Sequence, residues 1–102
     1  MEIYFEVIGC LGKRIRVTQP HWELITKRKH PEIKGLEQEV QFTLLRADVV
    51  RVSQEDPDVF LYYTRVGKYL LCVVCRHHNA DGFIITCYLT DKVKEGRQIW
   101  QK

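Results

Sequence analysis

The sequence predicts an α+β domain, with an N-terminal hairpin and two helices packed on one face of a four-stranded antiparallel sheet. Three observations lead there. Residues 2–8 (EIYFEVI) alternate polar and apolar, the period-two signature of a half-buried strand. Ile33, Leu36, Val40 and Leu44 recur at helical spacing. Four extended runs then follow with only short turns between them, and short connections require antiparallel pairing of consecutive strands.

The elements follow in chain order. RIRV (14–17) repeats the alternation of residues 2–8, and GCLGK between them supplies the glycines of a tight turn. Thr18 or Gln19 caps the first helix, and Pro20 stands near its first turn, where a missing N–H costs nothing. Trp22, Ile25 and Lys29 share one face of this short amphipathic helix, with Leu24 beside them. Pro31 disfavours helical geometry at His30, so the helix should stop or bend there. The second helix is expected from about Glu32 or Leu36 to Leu45, with Glu37, Gln38, Glu39 and Gln41 turned to water. The strands are DVVRVS (48–53), VFLYYTR (59–65), YLLCVVCR (69–76) and FIITCYLT (83–90), turning at QEDPD, VGK and HNADG. In the charged tail, Ile99 and Trp100 are expected to fold back onto the sheet.

The totals narrow the function classes. At 102 residues the chain forms one domain over positions 1–102 with a single modest core. A composition of 45% hydrophobic and 28% charged residues is that of a folded protein, not a disordered tail. No window approaches the roughly 18 apolar residues of a membrane span, and MEIYFEVIGC does not read as a signal peptide. The expected location is the cytoplasm, with no membrane partner. A net charge of +3 is too mild to define a nucleic-acid binder. The charge is clustered, however, with Lys27, Arg28, Lys29 and His30 consecutive and Lys13, Arg14 and Arg16 close together.

CVVC at 72–75 resembles a metal or redox pair, but it lies in a buried strand, where residues three apart point to opposite faces. A zinc site needs converging thiolates, and a redox pair needs a strand-to-helix turn. Cys10, Cys72, Cys75 and Cys87 therefore read as free thiols. No metal and no cofactor is expected.

The last strand carries the chemistry. Thr86, Tyr88 and Thr90 fall on one face, and Phe83, Ile85, Cys87 and Leu89 on the other. If the oily face meets the helices, the polar face is an open cleft that Tyr62 and Thr64 would also line. Arg65 and Lys68 flank one turn, and Arg76, His77 and His78 end the next strand. Cations, hydroxyls and aromatic rings around a cleft suit an RNA chain, the cations for phosphate and the rings for stacked bases.

PHWELITKRKHPEI, LLRADVVR, VFLYYTRVGKYLLCVVC and GFIITCYLT together resemble small phage- and toxin-associated nuclease-like domains, grouped with barnase, EndoU, the tRNA-cleaving colicins and RelE. The resemblance covers about residues 16–100. It implies helices packed on an antiparallel sheet, a site on the open sheet face and metal-independent ribonuclease activity by 2′-hydroxyl transesterification. It further implies a toxin-like role with RNA as substrate and a cognate antitoxin as protein partner. His21 and His30 match the helical histidines, Thr86 and Tyr88 the last-strand polar positions, and Arg65 and Lys68 the basic residues near the sheet edge.

Such cleavage needs a base for the 2′-hydroxyl, an acid for the leaving 5′-oxygen and donors for the phosphorane. The expected catalytic set is His30, His21, Tyr88 and Thr86, with Arg65, Lys68, Arg76 and Tyr62 binding substrate. His21 and His30 are nine positions apart, about half a turn out of phase on one helix, and converge only if the chain bends at His30–Pro31. A non-catalytic nucleic-acid- or protein-binding domain on the same fold is the alternative.

Overall fold

A computed structural model describes residues 2–94 and 96–102. Strands β1 (Ile3–Ile8) and β2 (Arg14–Thr18) form the expected hairpin, closed by Gly9 N–H donating to Lys13 O at 2.8 Å. The helical region is α1 (Gln19–Leu24), a wide turn over Ile25–Lys29, a 3₁₀ turn over Pro31–Ile33, and α2 (Glu37–Leu45). Strands β3 (Val49–Ser53), β4 (Val59–Val66), β5 (Tyr69–His78) and β6 (Asp81–Thr90) follow, and β7 (Gly96–Gln101) ends the chain.

The sheet has seven strands, not four, in the order β1-β2-β6-β5-β4-β3-β7. It is mixed, not antiparallel. The expected meander is present as β3–β6. The hairpin joins the same sheet through a short parallel pairing, Arg14–Arg16 of β2 against Asp81–Phe83 of β6. The tail does return to the sheet, but as a strand pairing with β3, where Trp100 Nε1–H donates to Ala47 O at 3.2 Å. Neither addition carries a strong local signal, because both rest on backbone hydrogen bonds between distant segments.

One face of the sheet meets α1 and α2. Ile15, Trp22, Ile25, Val40, Leu44, Tyr62 and Val73 are among the residues of this main core. The other face is not the open, polar surface that the last-strand pattern predicts. It carries a second buried cluster, Leu61, Tyr63 and Cys72, with Leu70, Val74 and Tyr88 packed on it. The topology explains the cover. The alternation of pairings makes β7 parallel to β6, with β5, β4 and β3 between them. The chain after Thr90 must therefore cross a face of the sheet, and its contact at Lys94 puts the crossing on this second one. Lys94 marks the crossing, its backbone N–H donating to the Tyr63 hydroxyl at 3.0 Å.

Gly96 sits at the end of that crossing, where a Cβ would run into the carbonyl oxygen of Val52. Gly96→Ala is expected to detach the start of β7 and to lower stability by about 1–3 kcal/mol, the usual cost of overpacking. Amide exchange at residues 97–101 and urea denaturation check this. Unchanged exchange and unchanged stability together would show that the contact is not limiting.

Candidate functional site

The site gathers at the free edge and second face of β6, and a β-bulge shapes it. Val74 pairs with Thr86 but Cys75 pairs with Ile84, leaving Ile85 as the extra residue. The expected alternation holds after the bulge, with Cys87 and Leu89 in the main core. Before the bulge it inverts: Ile84 is buried in the core while Phe83 is 46% exposed.

The bulge also leaves the carbonyl of Ile85 at an edge that β2 has already left, since the parallel ladder ends at Phe83. His21 Nε2–H donates to that carbonyl at 2.7 Å. The imidazole thus completes a backbone hydrogen bond at the sheet edge, which gives His21 a structural role there. Thr18, the N-cap, accepts the backbone N–H of His21 at 3.3 Å and fixes where the side chain leaves the helix. His21→Leu is expected to cost about 1–3 kcal/mol by stranding the carbonyl, while any RNA cleavage continues. Loss of cleavage in a variant that stays folded by circular dichroism would return His21 to the site.

His30 stands at the break the sequence predicts. Pro31 keeps it out of helical geometry (φ −139°, ψ 77°). Its backbone N–H reaches Ile25 O at 2.7 Å, a widened turn of the kind common at functional sites. The ring lies 5.6 Å from that of Tyr88, centroid to centroid, and Nδ1 is 3.5 Å from Glu32 Oε2. Glu32 is therefore a further member of the site, displayed in the sequence by HPE but carrying no signal of its own there. Lys94 is another: its Nζ lies 6.0 Å from the Tyr88 ring centroid. No local pattern announces Lys94, because the crossing segment brings it there.

Thr86 and Tyr88 both face a groove of ≈ 370 Å³, with Val59, Leu61 and Val74 as its apolar residues and Ser53, Gln54, Glu55 and Lys94 as polar ones. Their hydroxyl oxygens are sealed from solvent and have no hydrogen-bond partner among the described residues. Burial, with the neighbouring Cys72 and Tyr63, pushes the Tyr88 phenol well above its ordinary range. Tyr88 therefore stays protonated and offers its ring, not a phenolate. Burial likewise raises Cys72 to about 11 and Cys87 to about 12 and lifts Cys75 well up, so no thiolate forms there near neutral pH. Cys72 and Cys75 lie in different clusters on opposite faces, and both are free. Among the described residues, no three His, Cys, Asp or Glu side chains are grouped to hold a metal ion.

The expected substrate-binding residues do not come together. Tyr62 lies on the helix face, fully buried, with its hydroxyl 2.9 Å from His77 Nε2. Thr64 also points to that face, 2.6 Å from the Thr43 hydroxyl of α2. The strand alternation begins one residue earlier than the polar pattern suggested, so Leu61 and Tyr63 take the second face instead. Arg65 lies near the end of β4, paired with Leu70, and Lys68 in the turn beyond it stacks over Tyr69. Arg76 does share the second face, paired across the ladder with Val59. Its guanidinium is held by Asp56 at 2.8 Å and Asp58 at 4.0 Å.

The arrangement defines a class: a small α+β domain with one histidine–carboxylate pair and one lysine gathered at an aromatic ring beside a groove. Comparison with protein families, curated proteins and solved structures finds no match. Among the described residues, no helix is long and apolar enough to cross a membrane.

Proposed function

We propose that this domain cleaves single-stranded RNA without a metal, in the manner of a toxin nuclease. The observation that supports the reading is that His30 and Lys94 each lie beside the ring of Tyr88, at 5.6 and 6.0 Å from its centroid. With Nδ1 turned to Glu32, the Nε2 of His30 takes the proton of a ribose 2′-hydroxyl. The 2′-oxygen then bonds to phosphorus, the P–O5′ bond breaks, and the leaving oxygen takes a proton from solvent. The products are a 2′,3′-cyclic phosphate and a 5′-hydroxyl end. The Lys94 ammonium offsets the charge that builds on the phosphorane oxygens. The groove beside Tyr88 receives the neighbouring nucleotide, its apolar residues suited to a base.

A second reading, RNA binding without cleavage, is favoured by one specific observation: His21 is committed to Ile85 O, leaving one histidine at the site. The deciding experiment incubates purified protein with end-labelled RNA in excess EDTA, identifies the product ends, and measures binding of the same RNA by anisotropy. Cyclic phosphate ends support the nuclease. Binding without cleavage establishes the second reading, and the absence of both removes RNA as the ligand.

A further inference from the structure

Helix α2 is apolar on two sides, and only one of them is covered. Val40 and Leu44 are fully buried against the sheet, whereas Phe42 and Leu45, three residues apart on the outward side, are each 48% exposed. An amphipathic surface helix would carry polar residues at those outward positions. Each of the two exposed residues opens onto a cavity. Phe42 lines one of ≈ 370 Å³ with Gln38, Glu39, Thr64, Arg65 and Val66. Leu45 lines another of ≈ 340 Å³ with Arg46, Ala47, Trp100 and Lys102. Trp100, 37% exposed, continues the apolar strip onto β7.

The charge around the strip is uneven. The cavity beside Trp100 is bordered by the side chains of Arg46 and Lys102 and by no acidic side chain. The other has Arg65 against Glu39, while the nearby Asp48 carboxylate accepts the backbone N–H of Arg65 at 3.3 Å. Among the described residues, Arg46, Arg65 and Lys102 take part in no ion pair.

We propose that the α2–β7 face docks an acidic amphipathic helix of a partner protein. Its apolar side chains would enter the two cavities and its carboxylates would lie over Arg46 and Lys102. Helix-in-groove recognition uses such spaced apolar anchors, and complementary charge sets orientation and excludes wrong partners. A second copy of this chain fits less well, because it would add two further cationic side chains to a cavity that has no acidic side chain to meet them. A nucleic acid also fits less well, because aliphatic Leu45 and Val66 and the Glu39 carboxylate share the strip with the aromatic rings.

The test titrates the protein with a synthetic amphipathic helix of about 16 residues, with leucines at three- and four-residue spacing and glutamates between. A peptide with lysine for each glutamate is the control, and amide chemical shifts report the location. Shifts confined to residues 38–47, 64–66 and 100–102, absent with the lysine peptide, are the expected result. Phe42→Ala should weaken binding at least about tenfold, as loss of a central anchor does, and Arg46→Glu should weaken it as well. Both positions are exposed, so the variants should fold, and circular dichroism confirms it. No binding, equal binding of the two peptides, or shifts elsewhere overturns the proposal. So does sedimentation showing a wild-type dimer that Phe42→Ala dissociates, because the occupant is then a second copy.

Discussion

His30→Ala should slow RNA cleavage by about 10²–10⁴-fold, the range expected when a positioned general base is removed. The variant should still fold, because the His30 side chain is one-third exposed and its contacts are with Glu32 and the Tyr88 ring. The backbone bond to Ile25 O, which shapes the turn, survives the substitution. Glu32→Gln should produce a smaller loss, since it removes the charge that orients Nδ1 but leaves the base. Cleavage rates on a short single-stranded RNA in EDTA measure both. Wild-type rates in His30→Ala would remove His30 from the mechanism whatever the protein does to RNA. A loss confined to Lys94→Ala would place the chemistry on the crossing segment instead.

Acidification from pH 7 to pH 4 should cost the protein roughly 3 kcal/mol through His77 alone. Its side chain is buried, with the residue only 7% exposed. It stacks on Phe60 at 3.8 Å and meets the Tyr62 hydroxyl at 2.9 Å, while Nδ1 has no partner among the described residues. Burial, with a smaller contribution from Lys13, lowers its pKa from 6.5 to about 4. The folded protein thus holds a neutral imidazole that the unfolded chain protonates near pH 6.5. Its stabilising contribution is complete above that value and is lost as pH falls through 6.5 towards 4. Urea denaturation between pH 7 and 4 should show this slope, and His77→Phe paired with Tyr62→Phe should flatten it. An equal slope in the double variant would assign the acid sensitivity to other groups. Asp56, held below the usual carboxylate range by the Asp58 backbone N–H and Arg76, acts only at still lower pH.

Local sequence determined the break at His30, because Pro31 restricts its neighbour wherever the chain goes. It determined the hairpin, the order of β3–β6 and the separation of Cys72 from Cys75, all set by period, turn residues or strand alternation, whereas the turn it placed over HNADG is only Asn79–Ala80. It also singled out HPE and the T-x-Y of the last strand.

Tertiary structure alone decided the rest. The parallel β2–β6 pairing and the docking of β7 join segments far apart in the chain through main-chain hydrogen bonds, which side-chain patterns do not encode. The bulge at Ile85 moved Phe83 to the opposite face and exposed the carbonyl that takes up His21. The phase of β4 placed Tyr62 and Thr64 in the core. Lys94 reaches Tyr88 only because the return of the chain to β7 crosses the second face. A period assigns residues to faces relative to one another. Which face is covered, and by what, depends on where distant segments come to rest.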